Sequence, residues 1–237
     1  MASELTKPDY GTGLMAFWAE IDDEYLMRYQ QWHNCEHVPE RVSTPGFRRG
    51  RRYRCVSGAP HFLMIYETES PATLASAPYL AKLDAPTPWT REALTHFRDP
   101  ARGIYALVEA AGEEGAFCAA WLTALRFEPT AEVAPGDMRA WLAAMAARPG
   151  VGRVQLWRAD LAASGIVTSE RRIYGGAAAG DHLLLLIEAE TPGDAEGAVL
   201  AAGDAAVPAL AAREAEIVGR YWLELYHHSP ELAGHAR

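Results

Sequence analysis

Apolar residues along the chain recur with two periods, and the order in which those periods alternate predicts the architecture. Leu14 to Ile21 is an apolar run that predicts a first strand, and Asp22 or Asp23 stands where the N-cap of a following helix belongs. Tyr25, Leu26, Tyr29 and Trp32 then recur at three- and four-residue steps and define one helical face. Pro39 is expected to end or kink that helix, since it lacks a backbone donor and biases Val38 away from helical angles. After a Pro45-Gly46 turn, Phe47 to Val56 and His61 to Glu69 read as strands joined by Ser57-Gly58-Ala59-Pro60. Ser70 to Phe97 is helical material that Pro78, Pro86 and Pro88 divide into two or three short helices, and Gly103 to Glu109 closes the unit as a fourth strand. The order β-α-β-β-α-β is the ferredoxin-like pattern.

Beyond a polar joint at Gly112-Glu113-Glu114-Gly115 the order repeats. Strand Phe117 to Phe127, helix Asp137 to Ala147, turn Pro149-Gly150 and strand Val151 to Ala159 follow. Pro149, Gly150 and Trp157 stand at one common spacing from Pro45, Gly46 and Tyr53. His182, Glu188, Glu190 and Pro192 repeat His61, Glu67, Glu69 and Pro71 at a second, larger spacing, because the hairpin from about Asp160 to Gly180, with its AAAG stretch, is longer. Gly219, Tyr221 and Leu223 repeat Gly103, Tyr105 and Leu107 at a third. These anchors predict a disordered leader at 1–12, an N-terminal ferredoxin-like repeat at 13–111 and a degenerate C-terminal repeat at 116–228. One such unit leaves an apolar sheet face exposed, and a second copy on the same chain buries it. The expected class is α+β: two four-stranded sheets packed face to face or closed into an intramolecular α+β barrel, a pseudo-dimer with its helices outside.

Composition changes this picture only by exclusion. With a net charge of -9 the chain does not favour nucleic acid or an anionic membrane as a partner. Arg48, Arg49, Arg51 and Arg52 are the local exception, read as a solvated strand edge unless one of them orients an anionic ligand. Cys35, Cys55 and Cys118 form neither a disulfide framework nor a metal spacing, and with no secretory or membrane-spanning pattern the expectation is a reduced, cytoplasmic protein. Association of whole chains through the outer helices is left open.

The array of Trp32, His37, Pro39, Pro45-Gly46-Phe47 and Arg52-Tyr53 resembles the dimeric α+β barrel superfamily, and within it the EthD-like group. The first half carries this motif. The second keeps the Pro-Gly turn and the strands but has Arg139, Trp141, Ala144 and Ala147 in place of the His and Glu cluster. The resemblance implies a cavity between sheet and helices in each half. It also implies a choice among cofactor-free monooxygenases, cyclases, lactone isomerases and, in tandem versions, haem proteins, among which a fold cannot decide.

The ionisable cluster lies between Trp32 and Tyr53. His37, matching the superfamily's helix-end His, is the candidate acid/base, or else a residue that holds the helix end. Glu40 shares its face and is the candidate orienting carboxylate, while Glu36 points sideways. Arg41 would hold a substrate carboxylate or pair with a neighbouring Glu. Tyr66 and Tyr53 would face the cavity, Tyr66 to stabilise an oxyanion. Trp18, Trp32 and Trp89 would form its walls, with ordinary core packing as the alternative for each. His33 to His37 spells H-x-x-E-H, but Pro39 cuts short the helix that zinc-peptidase chemistry requires, so no metal is expected. His61 and His182, kept in both halves, read as structural, Cys35 as a small buried residue, and His96, His227, His228 and His235 have no supporting partners. The reading is a cofactor-independent enzyme that moves protons on a small apolar or aromatic metabolite, of lyase, isomerase or cyclase type. The alternatives are a cofactor-free monooxygenase and a binding module for haem, through His37 or His182, or for a hydrophobic ligand.

Overall fold

The structure, a computed structural model, describes residues 11–58, 60–113, 118–128, 135–176, 180–204 and 217–230. Most of the expected leader, the start of the strand expected from Phe117, the Glu114-Gly115 end of the joint, residues 177–179 of the AAAG stretch and His235 lie outside the described residues. Eight described strands close into a barrel: β1 (Gly13–Ile21), β2 (Phe47–Gly58), β3 (Phe62–Thr68), β4 (Phe97–Gly112), β5 (Trp121–Phe127), β6 (Val151–Ala159), β7 (Leu183–Ala189) and β8 (Ile217–His228). All neighbours are antiparallel, in the order β1-β3-β2-β8-β5-β7-β6-β4. Read around the ring, the first four strands run β4-β1-β3-β2 and the last four run β8-β5-β7-β6, the same order. Pairs β2 with β8 and β4 with β6 close it, so no strand is left as an edge.

Closure explains the two-sided apolar strands. In β1, Leu14, Ala16 and Trp18 face the barrel interior with Leu63, Ile65, Tyr105, Trp157 and Tyr221, whereas Met15, Phe17, Ala19 and Ile21 face outward under helices. A third cluster, with Trp141, Leu142, Met145 and Ile187, packs the outer face of the second half beneath α5 (Pro135–Ala146) and α8 (Pro192–Asp204). No helix among the described residues is long and apolar enough to cross a membrane.

Closure also overturns the reading of the arginine run. Arg49, Arg51 and Arg52 are buried, because β2 has a hydrogen-bonded neighbour on each side. Arg49 and Arg51 turn into the barrel, where both bind Glu67 and Arg51 also reaches Glu188 at 2.8 Å. Arg52 turns outward to Glu224 at 3.0 Å, and only Arg48, paired with Glu69 at 3.2 Å, keeps an appreciable exposure. Strand β4 starts six residues before the predicted Gly103, at Phe97. Asp99-Pro100 reads as a breaker in sequence, but the two form a bulge in β4 opposite Ala19, where Asp99 takes a φ of 46°, and pairing continues past it.

Candidate active site

The helix after β1 is built in three pieces: α1 (Leu26–Trp32), a π turn over His33–His37, and α2 (Val38–Val42). Of the two outcomes expected of Pro39, an end or a kink, the helix does not end there but runs on to Val42, distorted into the π turn just before the proline. Proline needs the carbonyl four residues earlier moved aside and supplies no N–H of its own, and the wider π ladder just before it accommodates both demands. The same turn brings His33 and His37 onto one inward face, with ring centroids 5.5 Å apart, and leaves Cys35 exposed rather than buried.

The inward face meets a cavity between the helices and the outer side of β1, β3 and β4, with about 490 Å3 of free space counted out to its mouth. Trp32, His37 and Arg41 come from the helix, Tyr66 and Met64 from β3, and Met15 and Phe17 from β1. Tyr79, from α3 (Ala77–Asp84), Leu94, from α4 (Pro88–Leu94), and Arg102 of β4 continue the wall. Thr168, Glu170 and Tyr174 complete it from the second half. They lie on and before α7 (Ser169–Tyr174), which with α6 (Leu161–Ser164) occupies the hairpin that sequence marks only as longer than its counterpart.

His37 packs its ring 4.4 Å from that of Trp32. Neither ring nitrogen is hydrogen-bonded among the described residues; Nδ1 is sealed in protein without a partner, which leaves Nε2 as the nitrogen open to the cavity. Burial, with the charge of Arg41 and the neighbouring His33 adding to it, holds the His37 imidazole well below its ordinary pKa, so the ring is neutral at physiological pH. His33 is depressed in the same way by burial and by Arg52. Arg52 lies 3.2 Å from His33 Nδ1, and since a guanidinium only donates, Nε2 of the neutral ring carries the proton and faces the Tyr66 hydroxyl at 3.5 Å. Tyr66 thus accepts from His33 and keeps its own O–H to offer to the cavity. Burial keeps that phenol protonated, with its pKa well above the usual value. Gly50, opposite Tyr66 across the β2–β3 ladder, makes room for the ring: a Cβ there would lie 2.9 Å from it and 3.0 Å from Val38.

Arg41 is buried and binds Glu170, with Glu40 3.6 Å away and the Tyr79 ring beneath the guanidinium. Burial holds the Glu170 carboxyl above its ordinary range even against the pull of Arg41. Of the neighbours that sequence offered as partners, Glu40 is only the more distant one and Glu36 bonds elsewhere; the closer partner, Glu170, is 129 residues away. Other expected residues lie elsewhere. Glu40 is outside the lining and forms no bond to His37, because its carboxylate turns toward Arg41. Tyr53 and Trp18 point into the barrel, where Arg51 donates to the Tyr53 hydroxyl at 2.8 Å and Arg126 lies over the Trp18 ring. Trp89 packs outside the cavity under Arg28. Glu36 turns away to Thr87 and Thr90, at 2.5 and 3.0 Å, so the H-x-x-E-H residues do not converge. No group of three His, Cys, Asp or Glu able to share an ion occurs among the described residues. His61 approaches Glu20 at 3.6 Å, and Tyr105 lies 2.9 Å from His182.

The positions of the second half that match the cavity-lining His37 and Arg41 are packed into its core. At the spacing of the two Pro-Gly turns, Trp141 stands where the first half has His37 and Met145 where it has Arg41, and both are buried in the packed third cluster.

No protein-family model matches the chain, and no curated protein does. Solved structures do match in fold. An anthrone oxidase-like protein superposes with a TM-score of 0.62 at 9% identity, covering 92% of this chain and 93% of its own. A protein of Fusobacterium nucleatum subsp. nucleatum proposed to be a monooxygenase gives 0.57 at 5% identity over 92% and 95%. A haem-binding protein of Thermus thermophilus gives 0.51 at 7% over 95% and 94%. The chain has the fold of the dimeric α+β barrel superfamily.

Proposed function

From that fold and the lining of its cavity, we propose that the protein is an enzyme that abstracts a proton from a small, largely apolar and aromatic or polyketide-like carbonyl compound. The observation that carries this is His37: a neutral imidazole with an unengaged nitrogen facing a cavity walled by Trp32, Phe17, Phe97 and Met64. With Nδ1 protonated, Nε2 takes the proton from a carbon next to the carbonyl. The C–H electron pair becomes the enolate double bond, and the negative charge passes to oxygen. The Tyr66 O–H donates to that oxygen, and His33 and Arg52 hold the phenol in place. Returning the proton to a different carbon isomerises the substrate, attack of the enolate on a second carbonyl cyclises it, and reaction of the enolate with dioxygen makes the enzyme a cofactor-free oxygenase. All three begin with the same step.

The fold of two barrel halves with one strand order supports a tandem duplication of ferredoxin-like repeats at about 13–111 and 116–228, of which the first retains the site. Paired interior residues add to it: Glu67 and Glu188 both reach Arg51, and Tyr105 and Tyr221 each lay a ring across the glycine two residues earlier, leaving no room for a Cβ at Gly103 or Gly219.

A second reading is favoured by the same imidazole. A neutral His37 with a free nitrogen is also a fit ligand for haem iron, and Arg102 on the cavity wall would suit a propionate. Haem would bring oxygen and peroxide chemistry to the site.

The test is exchange of substrate hydrogen for solvent deuterium, measured by NMR over a panel of anthrones, naphthols and short polyketide-like diketones. Enzyme-dependent exchange at the carbon next to the carbonyl is expected, and His37→Gln should slow it roughly 10²-fold or more. Exchange that survives the substitution sinks the base assignment. Purified protein with a Soret band that His37→Gln removes would instead establish the haem reading, and oxygen uptake during exchange would separate the oxygenase from the isomerase and cyclase.

A further inference from the structure

Every other buried arginine just described in contact with a carboxylate has its charge answered within the protein. Arg41 has Glu170, Arg49 has Glu67, Arg51 has Glu67 and Glu188, and Arg52 has Glu224. Arg102 is different. It is partly buried in β4 opposite Phe17, on the outward face of the sheet, and lines the cavity. Among the described residues no carboxylate lies within ion-pair distance of it; its Nε meets the Met15 sulfur at 3.3 Å, a weak acceptor, and its other polar neighbours are the phenols of Tyr79 and Tyr174. Burial opposes its charge, while Tyr79, Tyr174 and the Glu170 carboxyl favour it, and the guanidinium stays protonated. Glu170, the only carboxylate in the lining, is bonded to Arg41 and acts on Arg102 only at longer range.

A cation partly withdrawn from water, with no carboxylate of its own in contact, is under-compensated, and a ligand that supplies the anion makes good the deficit. The surroundings of Arg102 favour a flat ligand. Phe17 and Tyr174 stand edge to face at 5.0 Å, and the remaining wall is Tyr79, Leu83 and Phe97. A guanidinium fork matches the two oxygens of a carboxylate, a geometry that a single phenolate oxygen does not use.

We propose that Arg102 is the anion-binding residue of the cavity, and that the substrate is an aromatic or polyketide-like carboxylic acid whose carboxylate lies on Arg102 while its rings lie against the aromatic wall that Phe17 and Tyr174 form. This rests on reading the cavity as a substrate site but not on the chemistry assigned to His37. The role that sequence offered to Arg41 passes to Arg102, since Arg41 is neutralised by a residue of the other half.

Binding alone tests it, so that a failure here is distinct from a failure of the proton-transfer reading. Benzoate, 2-naphthoate and anthraquinone-2-carboxylate are compared with their methyl esters by calorimetry and thermal stabilisation of the full chain at millimolar concentration. The acids should bind and the esters should bind at least tenfold more weakly. Arg102→Met should weaken the acids roughly 10- to 100-fold, the loss expected of a charge-assisted hydrogen bond, with less effect on the esters. Arg102→Lys, which keeps the charge without the fork, should fall between. Equal binding of acid and ester by the wild-type chain overturns the proposal even if neither variant folds. So does absence of binding by all three acids, or unchanged acid affinity in a folded Arg102→Met.

Discussion

Glu170 reaches across from the second half of the chain to Arg41 on the helix of the first, and the pair sits in the wall of the cavity. Both side chains are almost wholly buried, so each is the principal counter-charge of the other. Removing one should be costly: Glu170→Gln is expected to destabilise the protein by about 3–5 kcal/mol, whereas the paired replacement Arg41→Met with Glu170→Leu should recover most of that loss. Urea denaturation of the two singles and the double decides it. A double mutant no more stable than the worse single would show that packing, not the uncompensated charge, dominates.

The two buried histidines set an acid limit on stability. His33 and His37 are held below their ordinary pKa in the fold, so on acidification the unfolded chain takes up their protons first. Their contribution is constant above about pH 6.5 and is lost as pH falls below it, by about 1.4 kcal/mol per pH unit for each ring. Carboxylates titrate in both wild type and variant, so the difference between wild type and His37→Gln isolates one ring. Its unfolding free energy should change by about 1.4 kcal/mol per pH unit between roughly pH 6 and 5. A difference that does not vary with pH would mean that His37 titrates normally in the folded protein.

The halves should not survive separation. A break between Gly112 and Gly115 removes the β2–β8 and β4–β6 ladders from each fragment and leaves Arg41 without Glu170. Each fragment expressed alone is expected to aggregate or self-associate, and to bind none of the cavity ligands of the full chain. Two stable monomeric halves in size-exclusion chromatography would contradict this.

Trp141 separates fold from function. It fills the position in the second half that His37 occupies in the first, and it is 4% exposed. Trp141→Ala should cost about 3–5 kcal/mol of stability while leaving kcat/KM of the surviving folded enzyme within about twofold. A large loss of activity at unchanged stability would place a working site in the second half.

Much of this is legible in the chain itself. The succession of strands and helices along the chain, the Pro-Gly turns and the matched residues of the two halves are visible because helices and strands impose periods of 3.6 and 2 on apolar residues whatever lies beyond them. His37, Trp32 and Tyr66 can be found for a related reason: a His and Glu cluster at a helix end, and a Tyr in an apolar strand, stand out against an aliphatic background. What sequence does not decide is which face of a strand is which. Strand β1 is apolar on both sides, because one side lines the barrel and the other the cavity, so nothing in its pattern says that Trp18 turns inward and Phe17 outward. Tyr53 turns away from the cavity for the same reason, and the buried arginines of β2 look like a solvated edge in sequence because ring closure by β8 is not a local property. Glu170 and Tyr174 lie in a hairpin whose sequence shows only that it is long, and Arg102 follows an Asp-Pro that reads as the end of structure. These residues become a site only when β4 continues past its bulge and α7 folds onto the other half. Contacts between residues far apart in sequence decide both events, and they leave no period in the chain.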